Sequence, residues 1–200
     1  MSAELSSIID FIRYGASQFG RAGLTFGHSF DNALDESTQL VLHALHLQHD
    51  IGPAYGQAKL TSDEKQAVLA LIQRRVIERI PACYLTGNAW FASLNFKSDK
   101  RALVPRSPIA ELIESGFEPW LGDLQVERAL DLCTGSGCIA IAMAHYNPDW
   151  QVDGVDISVE ALSLAYENNQ RLCASNCEFI ESDLLKALDG TVYALIVSHP

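Results

Sequence analysis

Apolar positions in the first part of the chain recur at helical spacing. Leu5, Ile8, Ile9, Phe11 and Ile12 make one stripe, and Gly15 and Gly20 flank its expected end. The stretch "DESTQLVLHALHL" (35–47) opens with acidic residues suited to a helix N-terminus and sets Leu40, Val41, Ala44 and Leu47 on one side. "TSDEKQAVLALIQRRVIERIP" (61–81) is the clearest helix. Thr61 and Glu64 have capping-box spacing, Arg74, Arg75 and Arg79 sit late, and Pro81 stops the run.

The pattern changes near residue 85. "AWFASLNFKSDKRALVP" alternates and is aromatic-rich, which predicts a β-hairpin with its turn near Ser98–Lys100. "VPRSPIAELIESGFEPWL" then predicts a helix linking two domains. Beyond Val126 the pattern reads strand, glycine loop, helix, strand, helix, strand, strand, with strands at "ALDL", "QVDGVD", "CEFIES" and "YALIVS". That alternation predicts an α/β fold with a parallel sheet. The expected plan is a helical domain at 1–86, a hairpin linker at 87–105 and an α/β domain from 106 to 200.

Composition adds boundaries. No repeat or apolar run of membrane-spanning length occurs, and "MSAELSSIIDFIRYG" has no secretory signal pattern. The five cysteines, an odd number, suggest reduced thiols and a cytoplasmic setting. Cys173 and Cys177 have the spacing to share a helix face, but no further ligands accompany them, so no metal is expected. The net charge of −11 is uneven: residues 1–100 hold nine Lys/Arg against ten Asp/Glu, and residues 101–200 hold five against fifteen. An acidic second half disfavours direct binding to nucleic-acid phosphates.

The candidate chemistry lies in "ALDLCTGSGCIAIAMA" (129–144), where a strand ends near Asp131 and Gly135-Ser136-Gly137 opens a helix. Such glycines allow a tight turn and let a ligand lie against bare backbone. Asp156 follows nineteen residues after Gly137 at the end of the next strand, where a carboxylate can accept both ribose hydroxyls of a nucleoside cofactor. Gly135, Gly137 and Ala140 also match the dinucleotide pattern, but Asp131 closes the strand four residues before the first glycine. An anion there opposes a pyrophosphate and suits the ammonium of S-adenosylmethionine, so Asp131 is read as a cofactor-binding residue in preference to a turn cap. Asp183, in "ESDLL", either reaches an adenine amino group with Leu184 against the ring, or caps the next turn. Cys138 and His145 read as packing residues.

With these residues in hand, the chain resembles the bacterial glutamine methyltransferases, whose members modify large-subunit ribosomal protein three or release factors. "YGASQF", "DNALDESTQLVLHAL", "RIPACYLTGNAWF", "LVPRSPIAELI" and "LDLCTGSGCIAIA" carry the resemblance, and the last two point to the ribosomal-protein branch. The resemblance implies a Rossmann-like methyltransferase sheet preceded by a helical substrate-recognition domain. It places Cys133, Thr134, Gly135, Ser136 and Gly137 on the methionine part of S-adenosylmethionine, Asp156 at the ribose, and Asp183 and Leu184 beside the adenine, and it counts Ile157 among the cofactor-binding residues. The family then has Asn-Pro-Pro-Tyr after its fourth strand, holding the target amide. Here "YALIVS" leads to His199 and Pro200, so those two occupy the catalytic positions of an altered motif in a sheet expected to be cut after its fourth strand. An imidazole does not reproduce an amide carbonyl. The competing expectations are a release-factor or DNA adenine methyltransferase, and a truncated, non-catalytic remnant that keeps a binding surface.

Overall fold

The computed structural model describes residues 5–27, 30, 32–122 and 124–200, in two units, Met1–Gly87 and Asn88–Pro200. In the first unit, helix α1 (Ile8–Arg21) starts on a capping box: Ser7 Oγ accepts from the Asp10 N–H, and the Asp10 carboxylate accepts from the Ser7 N–H at 2.9 Å. The helix ends one residue past Gly20, and Gly15 lies well inside it. Gly15 is instead the point where α2 (Ala33–Ala44) packs: a Cβ there would lie 2.2 Å from Ser37 Oγ, whose hydroxyl donates to the Ile12 carbonyl at 2.8 Å. Close approach, not chain reversal, explains this glycine.

Helix α2 is capped by Asn32, whose side chain accepts from the N–H groups of Leu34 and Asp35. Asp31, at the head of that family-like segment, lies outside the described residues. Leu40 and Val41 are buried as expected, whereas Leu47 lies beyond the helix and is exposed. Helix α3 (Ser62–Ile77) begins on the Thr61–Glu64 capping box that the spacing predicts. Arg75 departs from expectation. It is buried rather than placed to complement a helix end, with Nε 2.5 Å from Glu36 Oε1 and Nη2 3.3 Å from the Thr25 carbonyl. A buried charge of either sign needs such a partner. Phe11, Phe19, Leu40, Val41, Val68 and Ile72 pack around this pair's helices, and α4 (Ala82–Thr86) ends the unit at a left-handed Gly87.

The second unit opens with the hairpin β1 (Asn88–Phe91) and β2 (Leu94–Lys97). Its turn is Ala92-Ser93, not Ser98–Lys100, and both turn residues have positive φ, 44° and 59°. Two-residue turns of this kind usually advertise themselves with Asn-Gly, and Ala-Ser carries no such signal. Nor is the hairpin a free linker. On α7 (Val159–Leu172), Asn168 accepts from the Lys97 N–H at 2.7 Å and donates to its carbonyl, while Arg171 donates to Asn88 and Asn95. The expected linking helix, α5 (Ile109–Glu114), is shorter than its sequence pattern and lies within this same unit.

Four parallel strands, β3 (Arg128–Leu132), β4 (Gln151–Asp156), β5 (Cys177–Glu181) and β6 (Leu195–Ser198), stand in the order β5-β4-β3-β6. The chain steps outward from β3 to β5 and then returns to the far side of β3. That reversal creates a crevice at the carboxyl ends of β3 and β6, the usual ligand position in an open α/β sheet. Helix α6 (Cys138–Tyr146) is apolar on all sides because residues Cys138 to Ala144 are buried together. Two readings are corrected: His145 on its last turn is exposed rather than packed, and Cys173 ends α7 while Cys177 begins β5, so they share no helix face.

Candidate functional site

The loop after β3 is tied down at both ends. The Thr134 N–H donates to the Val155 carbonyl at 2.8 Å, fixing the loop to β4, and Thr134 Oγ1 donates to Asp131 Oδ2 at 2.6 Å. The Ala140 N–H donates to that same carboxylate oxygen at 3.1 Å, so Asp131 joins strand, loop and α6. Asp131 is fully buried, and its Oδ1 has no partner among the described residues. Burial first, with the neighbouring Asp156 charge adding, pushes its pKa up to about 7. Of the two roles open for Asp131, its hydrogen bonds perform the turn-capping one.

Two glycines let this loop settle over β5. Gly137 has φ +78°, and a Cβ on it would lie 2.8 Å from the Phe179 ring and 2.9 Å from Ala165. Gly154, in mid-strand, would place a Cβ 2.7 Å from the same ring and 2.8 Å from Thr134 Oγ1. Both serve packing beneath the loop. Gly135 plays a different part: its N–H donates to Asp156 Oδ2 at 2.8 Å, while Asp156 Oδ1 accepts from the Ser158 N–H at 3.0 Å. The Asp156 carboxylate is thereby held rigid with one lone pair on each oxygen still available.

A cavity of about 280 Å³ opens between the loop, the segment Arg101–Arg106, and His199 with Pro200. A smaller one, about 70 Å³, has Ile157, Asp183 and Leu184 in its wall. Cys133 and Asp156 line both, so the fixed carboxylate stands on the ridge between two hollows. Their sizes suit one elongated ligand better than two. Two carboxylates, Asp156 at the end of β4 and Asp183 two residues beyond β5, stand in the cavity walls. Acids there favour a cation over a pyrophosphate.

Comparison with known proteins agrees with this geometry. A methyltransferase-domain family matches residues 125–199. The chain is 72% identical over 197 residues to the ribosomal protein uL3 glutamine methyltransferase of Xanthomonas campestris pv. campestris, covering 98% of this chain and 64% of that protein. Its counterpart in Xylella fastidiosa is 71% identical over 197 residues, covering 98% of this chain and 63% of the relative. The one in Bordetella pertussis is 47% identical over 199 residues, covering 98% of this chain and 67% of the relative. The chain belongs to the uL3 glutamine methyltransferase family. It spans less than two thirds of the length of the first two relatives.

Within this family's frame, the residues singled out from sequence divide in an informative way. Cys133, Thr134, Gly135, Ser136, Asp156, His199 and Pro200 line the larger cavity. Ile157, Asp183 and Leu184 join Cys133 and Asp156 around the smaller one. Asp131 and Gly137 line neither and act from behind the loop. Asp183 pairs with Lys186 three residues on, so at this position its carboxylate already has a local partner. The Cys133 thiol is raised by burial and by the nearby carboxylates of Asp156 and Asp131, which makes it a poor nucleophile. Among the described residues, no group of three or more His, Cys, Asp or Glu could hold a metal. The sequence reading missed the wall Arg101–Arg106, along with Ser158 and Ala161. "LVPRSPI" carried family resemblance, but an irregular segment has no periodicity to reveal what it faces.

Proposed function

We infer that the chain binds S-adenosylmethionine across the two cavities, and that the protein methylates a glutamine side-chain amide of large-subunit ribosomal protein uL3. One observation carries the cofactor reading: Asp156, pinned by two N–H groups on the ridge between the hollows, keeps two acceptor sites oriented for a ribose diol. The adenine then belongs in the smaller hollow beside Ile157, Asp183 and Leu184, and the methionine part beside Cys133 to Ser136. The wall carboxylates of Asp156 and Asp183 favour this cationic cofactor over a dinucleotide. The uL3 substrate rests on the activity named for the relatives, and a ribosomal-protein substrate supports a cytoplasmic setting for the reaction.

Bound there, the cofactor would supply a sulfonium methyl group to the amide nitrogen, the S–CH3 bond breaking to leave a neutral thioether as the nitrogen gives up one proton. An amide nitrogen is a weak nucleophile, so alignment and electrostatics must supply most of the rate. His199, in the wall of the larger cavity, can orient the incoming amide. A neutral imidazole nitrogen can accept one amide N–H.

Titration calorimetry with S-adenosylmethionine tests the cofactor reading. Asp156→Ala removes both ribose acceptors and should weaken binding by roughly a hundredfold or more. Unchanged affinity would remove Asp156 from the site. Methyl transfer from labelled cofactor to uL3 tests the activity. Cofactor binding without turnover would favour the non-catalytic reading, with His199→Asn as the variant that asks whether the imidazole is the cause.

A further inference from the structure

The wall that faces the glycine loop has no regular secondary structure, and something else must hold it. A Cβ on Gly135 would lie 3.9 Å from Ala102 Cβ, so the wall runs directly against the loop. Its first residue, Arg101, fastens one end of it. Nε donates to Asp99 Oδ1 at 2.9 Å and Nη2 to Asp99 Oδ2 at 2.7 Å. Nη1 donates to Glu167 Oε1 at 2.6 Å and to Ser163 Oγ at 3.1 Å, and Nη2 to Glu167 Oε2 at 3.0 Å. A guanidinium has five N–H donors, and these five bonds use that capacity on the protein itself. Arg101 therefore borders the cavity without a donor left for a ligand.

The partners explain what the bracket joins. Ser163 and Glu167 lie on α7, whose N-terminal end contributes Ser158 and Ala161 to the same cavity. Glu167 also pairs with Lys97 at the end of β2, so both ends of the segment before the wall are tied to one carboxylate. Single exposed ion pairs contribute little, but doubly bidentate networks are the exception.

We propose that Arg101 is a positioning residue for the cofactor: by bridging Asp99 and Glu167 it holds Ala102–Arg106 against the glycine loop and so sets cofactor affinity without touching the cofactor. The proposal rests on reading the cavity as the S-adenosylmethionine site. Lysine keeps the charge but cannot span two carboxylates, so Arg101→Lys is the informative change.

Titration of the 200-residue chain with S-adenosylmethionine, paired with amide hydrogen exchange, tests it. Arg101→Lys and Glu167→Gln should each weaken binding by roughly tenfold, and the double variant should be little worse than either, because they break one device. Exchange should quicken over Ala102–Arg106 while β3, β4 and α6 keep their protection, an outcome a general loss of stability would not produce. Equal affinity in wild type and both variants overturns the proposal. Faster exchange across the whole second unit also overturns it, by showing that Arg101 acts on the fold at large. Failure of the wild-type chain to bind S-adenosylmethionine overturns the cofactor reading and this proposal with it, and exchange over the wall still reports separately whether the bracket exists.

Discussion

Asp131 turns the acid of its strand end inward, and the cost of that burial sets a pH dependence. Its folded pKa, about 7, lies above the ordinary value of 3.8. Between those values the folded chain holds a proton that the unfolded chain has released, so this group's contribution to stability falls as pH rises and levels off above about 7. Asp131→Asn keeps an oxygen for Thr134 and Ala140 while removing the ionisation. Urea unfolding from about pH 5 to 8 should show a declining midpoint for the wild-type chain and a flatter one for the variant. Equal slopes would mean that another group governs this window. The same residue marks a limit of sequence reading: an aspartate at a strand end looks alike whether it faces ligand or loop, and only the positions of Thr134 and the α6 N–H groups distinguish them.

At the scale of elements, the helix pair α1–α2 depends on a missing side chain. Gly15→Ala would ordinarily gain about 1 kcal/mol of helix propensity. Here the new methyl would meet Ser37 Oγ, which is buried and fixed to the Ile12 carbonyl. Overpacking should outweigh propensity and leave a net loss of about 1–3 kcal/mol in denaturant unfolding, recovered in part by adding Ser37→Gly. A stabilised Gly15→Ala chain would show that the helices can separate at no cost. The capping box of α3 was legible because Thr61 and Glu64 lie three residues apart. The hairpin turn and the Gly15 contact were not, because the first lacks turn residues and the second depends on a residue over twenty positions away.

At the scale of the molecule, each unit closes its own core: one around Phe11, Phe19 and Leu40, the other around the β3–β6 sheet and α6. The two should respond to different perturbations. Cofactor at about a hundred times its dissociation constant should stabilise the second unit by about 2.7 kcal/mol and leave the first untouched. Glu36→Gln strands a buried Arg75 and should destabilise the first unit by about 3 kcal/mol or more. Hydrogen exchange resolved by unit checks both. A shift shared equally by the two units would mean that they unfold together.

Sequence alone determined the main helices and strands in their order, the parallel α/β character of the second half, and the loop and acid positions that line the two cavities, from Cys133 to Ser136 and at Asp156. These follow from periodicity, from local capping, and from a glycine loop and acid whose spacing is a property of one β-α-β unit. Tertiary structure decided which side of each residue matters. It turned Asp131 inward, made Gly15 a contact, buried Arg75 against Glu36, and set the irregular segment 101–106 as a cavity wall. Each of those outcomes depends on groups distant in the chain or on the fold of an aperiodic segment, and no local pattern records them.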